Sequence, residues 1–82
     1  MNIKELLIKI SQGVTSYKPE SDSLEDLKPF QEIVALLKLA EKKGYIVSTT
    51  TQKENRYPGG LICNIVVRGG LTDNGKSFIS NI

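Results

Sequence analysis

The chain has 82 residues, 39% of them hydrophobic and 24% charged, which bounds it to one ordinary globular domain spanning residues 1–82. With one cysteine and no histidine, a disulfide framework is excluded and the commonest acid–base and metal-binding side chain is missing. The longest uncharged apolar run, residues 33–37, is far short of the roughly 20 residues of a membrane span. The opening MNIKELLIKI mixes charges with its apolar residues and lacks a small-residue cleavage site, so no export is expected and a cytoplasmic protein is. The net charge of +2 is unevenly spread: residues 1–37 carry four Lys and six acids, residues 38–82 seven Lys or Arg and three acids. A basic second half is a mild pointer to a polyanionic partner.

Residues 2–14 predict a first helix, with Asn2 as N-cap and Ile3, Leu6, Leu7, Ile10 and Val14 on one face. Ile8 falls off that face. TSYKPESD (residues 15–22) is a connector of turn formers, with room for a very short strand around residues 14–17. DSLE and SLED (residues 22–25 and 23–26) both have capping-box form and start a short helix over residues 24–28. Pro29 lacks a backbone donor and disfavours helical geometry at Lys28, so a break or kink is expected there.

A longer helix is predicted over residues 30–43. Phe30, Ile33, Val34, Leu37 and Ala40 make its buried face, Leu36 and Leu39 widen that stripe, and Gln31, Ala35, Lys38 and Lys42 line the opposite face. Lys42 and Lys43 suit the end of the helix dipole, and Gly44 suits the C′ position. Residues 45–51 and 61–68 then read as a hairpin whose nine-residue loop, QKENRYPGG, carries Lys53, Arg56 and Tyr57. Gly69 and Gly70 close the second strand. Thr72 caps a terminal helix whose apolar side is Phe78, Ile79 and Ile82.

AEKKGYI (residues 40–46) resembles the passage from recognition helix to wing in winged helix-turn-helix proteins. LTDNGKSFI (residues 71–79) resembles the L-T-x-x-G-x-x-[YF]-[LI] element that follows the wing in many small bacterial and phage members. Taken together, the chain is most similar to the YjcQ-like proteins of bacteria and their prophages, departing from them in its longer central helix and Gly-rich wing ends. The resemblance implies an α+β winged helix-turn-helix fold: three N-terminal helices, a two-stranded antiparallel wing and a short C-terminal helix.

It also implies a non-enzymatic DNA-binding protein, a transcriptional regulator without cofactor or metal. Double-stranded DNA would meet Gln31, Lys38, Lys42 and Lys43 on the central helix and Lys53, Arg56 and Tyr57 on the wing. Glutamine pairs with adenine, and lysine with guanine or phosphate. A homodimer through the C-terminal helix, by Phe78 and Ile82, would reach two half-sites. The alternative is a winged-helix protein-interaction module without nucleic acid, for which Ile8 and the apolar strand at residues 61–67 are the candidate surfaces.

Two other signals are weighed against these. GLTDNGKS (residues 70–77) fits the phosphate-loop pattern G-x-x-x-x-G-K-[ST]. A nucleotide fold needs further parallel strands and an acid at another strand end, whereas five residues follow Ser77 and Thr72 is explained as a cap. No nucleotide site is therefore expected. Cys63 lies in an apolar strand and reads as structural.

Overall fold

The computed structural model describes residues 2–21, 23–55 and 60–80. The order is α1 (Ile3–Ser11), β1 (Ser16–Tyr17), α2 (Leu24–Lys42), β2 (Ile46–Glu54), β3 (Leu61–Leu71) and α3 (Asp73–Ser80). The strands form one antiparallel sheet in the order β1-β3-β2. The fold is thus α+β with three helices, two of them ahead of the hairpin, and three strands rather than two. None of the described helices is long and apolar enough to cross a membrane.

Helix α1 begins as its sequence dictates. The Asn2 side chain accepts from the Glu5 amide at 2.9 Å, and Leu6, Leu7 and Ile10 are buried. It ends earlier than the apolar spacing suggests, at Ser11, so Val14 lies beyond it and is exposed. Strand β1 follows, with Ser16 opposite Val66 and Tyr17 opposite Ile65. The Tyr17 hydroxyl donates to the Val14 carbonyl at 2.9 Å. Burial pushes the Tyr17 phenol above its ordinary value of 10.0, because a phenolate would lose its hydration there.

The largest correction lies at Pro29. Residues 24–43 do not divide into two helices: α2 runs unbroken through Pro29. An interior proline costs about 3 kcal/mol, through the lost donor and the crowded carbonyl four residues back. Here that carbonyl belongs to Glu25, in the exposed first turn, where water can satisfy it. Continuity keeps Leu27 in line with Phe30, Val34, Leu37 and Ala40, all buried. Burying a leucine contributes about 1.5–3 kcal/mol, so the loss of Leu27 from that line would cost as much as the break relieves. The capping box is also replaced. Ser23 makes no side-chain cap bond, and its carbonyl accepts from Asp26 and Leu27. The Ser21 hydroxyl reaches Asp26 Oδ2 at 2.6 Å, while Asp22 lies outside the described residues.

At its other end α2 stops as Gly44 predicts. Gly44 has φ +78°, Tyr45 N donates to Ala40 O at 2.9 Å and Gly44 N to Glu41 O at 3.1 Å. This pair of bonds is a Schellman turn, which satisfies the last helical carbonyls. The chain enters β2 directly. The hairpin runs longer than its β-prone sequence suggests, and β3 continues through Gly69 and Gly70. It does so by carrying an extra residue in β3 at two points, opposite Val47 and at Cys63, where the register with β2 shifts. Ile65 and Val67 of β3 enter the core beside α1 and α2.

Helix α3 is fastened to the turn after α2. The Thr72 hydroxyl accepts from Gly75 N at 3.1 Å, the N-cap bond, and donates to the Gly44 carbonyl. Thr72 N donates to Tyr45 O at 3.0 Å. The Tyr45 and Phe78 rings stack with centroids 4.7 Å apart. Gly75 is buried, and a Cβ there would overlap the Tyr45 carbonyl oxygen. Gly75→Ala should therefore lower the melting temperature by about 10 °C or more, corresponding to a loss of about 2 kcal/mol. Ser77→Ala, at an exposed position of the same helix, should change it by only about 2 °C, and equal melting curves for the two variants would contradict this packing.

Candidate functional site on the outward faces of the central helix

The expected DNA-reading face was Gln31, Ala35, Lys38 and Lys42, and the structure separates these residues. Gln31 is drawn inward. Its Nε2 donates to Leu27 O at 2.9 Å and to Ile62 O at 2.7 Å, and its Oε1 accepts from Ile62 N at 3.1 Å. The carboxamide joins α2 to the start of β3 and is not offered to a base edge. Lys38 reaches across to β2, donating to Thr49 Oγ1 at 2.8 Å. The Thr49 hydroxyl donates in turn to Glu41 Oε1 at 2.8 Å, and Lys38 Nζ stands 3.6 Å from that carboxylate oxygen. Its charge is thereby paired on the surface.

Ala35, Lys42 and Lys43 remain exposed, as does Lys53 on β2. Arg56 and Tyr57 lie outside the described residues. Helix α2 holds Glu25, Asp26, Glu32 and Glu41 against Lys28, Lys38 and Lys42, a net charge of −1. A helix lying in a DNA groove gains affinity by neutralising phosphates, and this one, with its cap Lys43 counted, brings as many acids as bases.

A second outward strip is apolar. Pro29, Ile33, Ala35, Leu36 and Leu39, with Glu32 among them, line a groove of about 560 Å³ along α2. Leu39 is 42% exposed, and Ile33 and Leu36 are half-buried against the core. The apolar spacing puts Ile33 in the buried stripe and Leu36 and Leu39 at its side, whereas all three line the outward groove. The signal that separates Leu36 and Leu39 is present in the spacing. Leu27, Phe30, Val34 and Leu37 repeat at intervals of three and four, and so do Pro29, Glu32, Leu36 and Leu39. One helix carries two interleaved seams: the first is buried, and of the second only Leu36 packs against the core.

The other candidate surfaces are largely absorbed by the fold. Ile65 and Val67 of the hairpin are core residues, while Ile8 is exposed. Phe78 is occupied by Tyr45, Ile79 packs against the core, and Ile82 lies outside the described residues. At the phosphate-loop match, the Thr72, Gly75 and Lys76 amides already donate within the protein, whereas a phosphate cradle needs free N–H groups. Among the described residues no group of three His, Cys, Asp or Glu could hold a metal ion. Cys63 sits half-buried at the β3 bulge.

Comparison of the chain with protein-family models, curated proteins and solved structures gives no match. The functional reading therefore rests on the geometry of the side chains. Gln31→Ala should cost about 1–3 kcal/mol in urea denaturation, because it strands the Ile62 amide and carbonyl. Lys38→Ala, breaking an exposed pair, should cost less than about 1 kcal/mol. The reverse order would restore Gln31 to the outward face.

Proposed function

We propose that this chain is a winged-helix type of protein-interaction module that docks through the apolar outward strip of α2. The observation that carries the reading is the apolar groove of Pro29, Ile33, Ala35, Leu36 and Leu39 on the outward side of α2. Contiguous exposed apolar surface of this kind marks a place where another macromolecule excludes water. A hairpin leaving directly from the end of a helix, and a following element fastened back to that junction by Thr72 and Gly75, support the winged-helix assignment. In this version the two helices of the motif run as one.

Duplex DNA is the second reading, favoured by Lys42 and Lys43 at the end of α2 and Lys53 on β2, all exposed and without an ion pair among the described residues. It would make the chain a bacterial or prophage regulator that binds phosphate more than base edges.

Capture from nuclease-treated extract decides between them. Protein partners should be retained by the wild type and lost with Leu39→Glu. The wild type should show no saturable binding to random duplex DNA at micromolar protein in low salt. If DNA is bound, and Lys42→Glu with Lys43→Glu and Lys53→Glu abolishes it, the second reading replaces the first.

A further inference from the structure

We infer that the occupant of the α2 groove is the α2 groove of a second copy of this chain, packed antiparallel. The inference rests on the interaction-module reading and specifies its partner. The outward seam contains Glu25, Pro29, Glu32, Leu36, Leu39 and Lys43, at successive spacings of four, three, four, three and four. This is the 3.5-residue repeat that lets two helices keep one seam in register.

The seam is self-complementary. A two-fold axis passing at the level of residue 34 sets Glu25 against Lys43 of the second copy, Pro29 against Leu39 and Glu32 against Leu36. The rotation repeats each layer at the other end, as a closed two-fold interface requires. Ala35, small and exposed, flanks the centre of the contact, where a longer side chain would hold the helices apart. Glu32 lays its stem over the facing Leu36 and keeps its carboxylate at the rim.

Charge selects the antiparallel direction. The first turn of α2 carries Glu25 and Asp26, and its end carries Lys42 and Lys43. Antiparallel packing brings the acidic end of one helix to the basic end of the other and opposes the two helix dipoles. Parallel packing stacks Glu25 on Glu25 and Lys43 on Lys43. The axes of two α2 helices overlap over about 28 Å. Lys28 and Lys42 share one edge of the contact as like charges, so the dimer is a weak one, with a dissociation constant of roughly 10–100 µM.

Sedimentation equilibrium from about 10 µM to about 1 mM should show a reversible dimer across this range. Leu39→Glu, at an exposed position and so with an unchanged circular dichroism spectrum, should weaken it at least about thirtyfold. Glu25→Lys should weaken it about tenfold, and adding Lys43→Glu to the same chain should restore it, since the double variant re-pairs both ends. In a Cys63→Ser background, a mixture of Glu25→Cys and Lys43→Cys chains should oxidise to the mixed disulfide, with little of either homodisulfide. Homodisulfides in place of the mixed one would overturn the antiparallel arrangement. A wild type that stays monomeric throughout would overturn self-pairing, and so would a Leu39→Glu chain that dimerises like the wild type. Monomers that still capture a protein in a Leu39-dependent way would leave the interaction-module reading standing, whereas monomers that capture none would remove both.

Discussion

The carbonyl of Tyr45 is the point on which this fold turns. It accepts the Thr72 amide, and the Cα of Gly75 lies so close that no side chain fits between. Three elements meet there: the Schellman turn that ends α2, the first residue of the path into β2, and the first turn of α3. The Thr72 hydroxyl closes the group by accepting from Gly75 and donating to Gly44. The turn after α2 satisfies the Ala40 and Glu41 carbonyls, and the start of α3 takes up those of Gly44 and Tyr45. An 82-residue chain has a small core, and polar closure of this kind fixes element directions that apolar burial alone leaves loose.

The same junction accounts for the two motifs that stand out in the sequence. In AEKKGYI, Gly44 supplies the left-handed turn and Tyr45 both the shared carbonyl and the ring that stacks on Phe78. In LTDNGKSFI, Thr72 is cap and clasp, Gly75 is the close approach, and Phe78 and Ile79 face inward. The spacing of Gly75, Lys76 and Ser77 that imitates a phosphate loop is thus a packing requirement. The glycine is there because a backbone carbonyl of the same chain, rather than a phosphate, comes close.

What the sequence made legible was local. The stop at Gly44, the caps at Asn2 and Thr72, and the buried line of Phe30, Val34, Leu37 and Ala40 follow from residues within one or two turns of each other. What it hid depended on distant partners. Pro29 signals a break, and α2 continues through it with Leu27 buried in line with Phe30 and Val34. Gln31 reads as an outward polar residue until Ile62, 31 positions later, arrives beside it. Leu39 reads as an extension of the buried stripe, and the structure leaves it exposed on the helix's second seam. The α+β composition of the fold was accessible from pattern alone. The character of the candidate site changed because Gln31 and Lys38, two of the side chains assigned to DNA, have closer partners within the protein, whereas Lys42, Lys43 and Lys53 stay exposed.

Those partners also determine what α2 can present. Gln31 ties the helix to β3, Lys38 and Glu41 tie its second half to Thr49 of β2, and the Gly44 turn ties its end to α3. Polar groups used in this way are unavailable for recognition, but they hold the helix in one orientation along its length. The outward seam of Pro29, Leu36 and Leu39 consequently sits on a rigid support. A preformed surface loses little ordering entropy on binding, so a modest apolar area can still give measurable association. The bonds that draw Gln31 and Lys38 toward the sheet therefore also fix the helix that carries the proposed docking face.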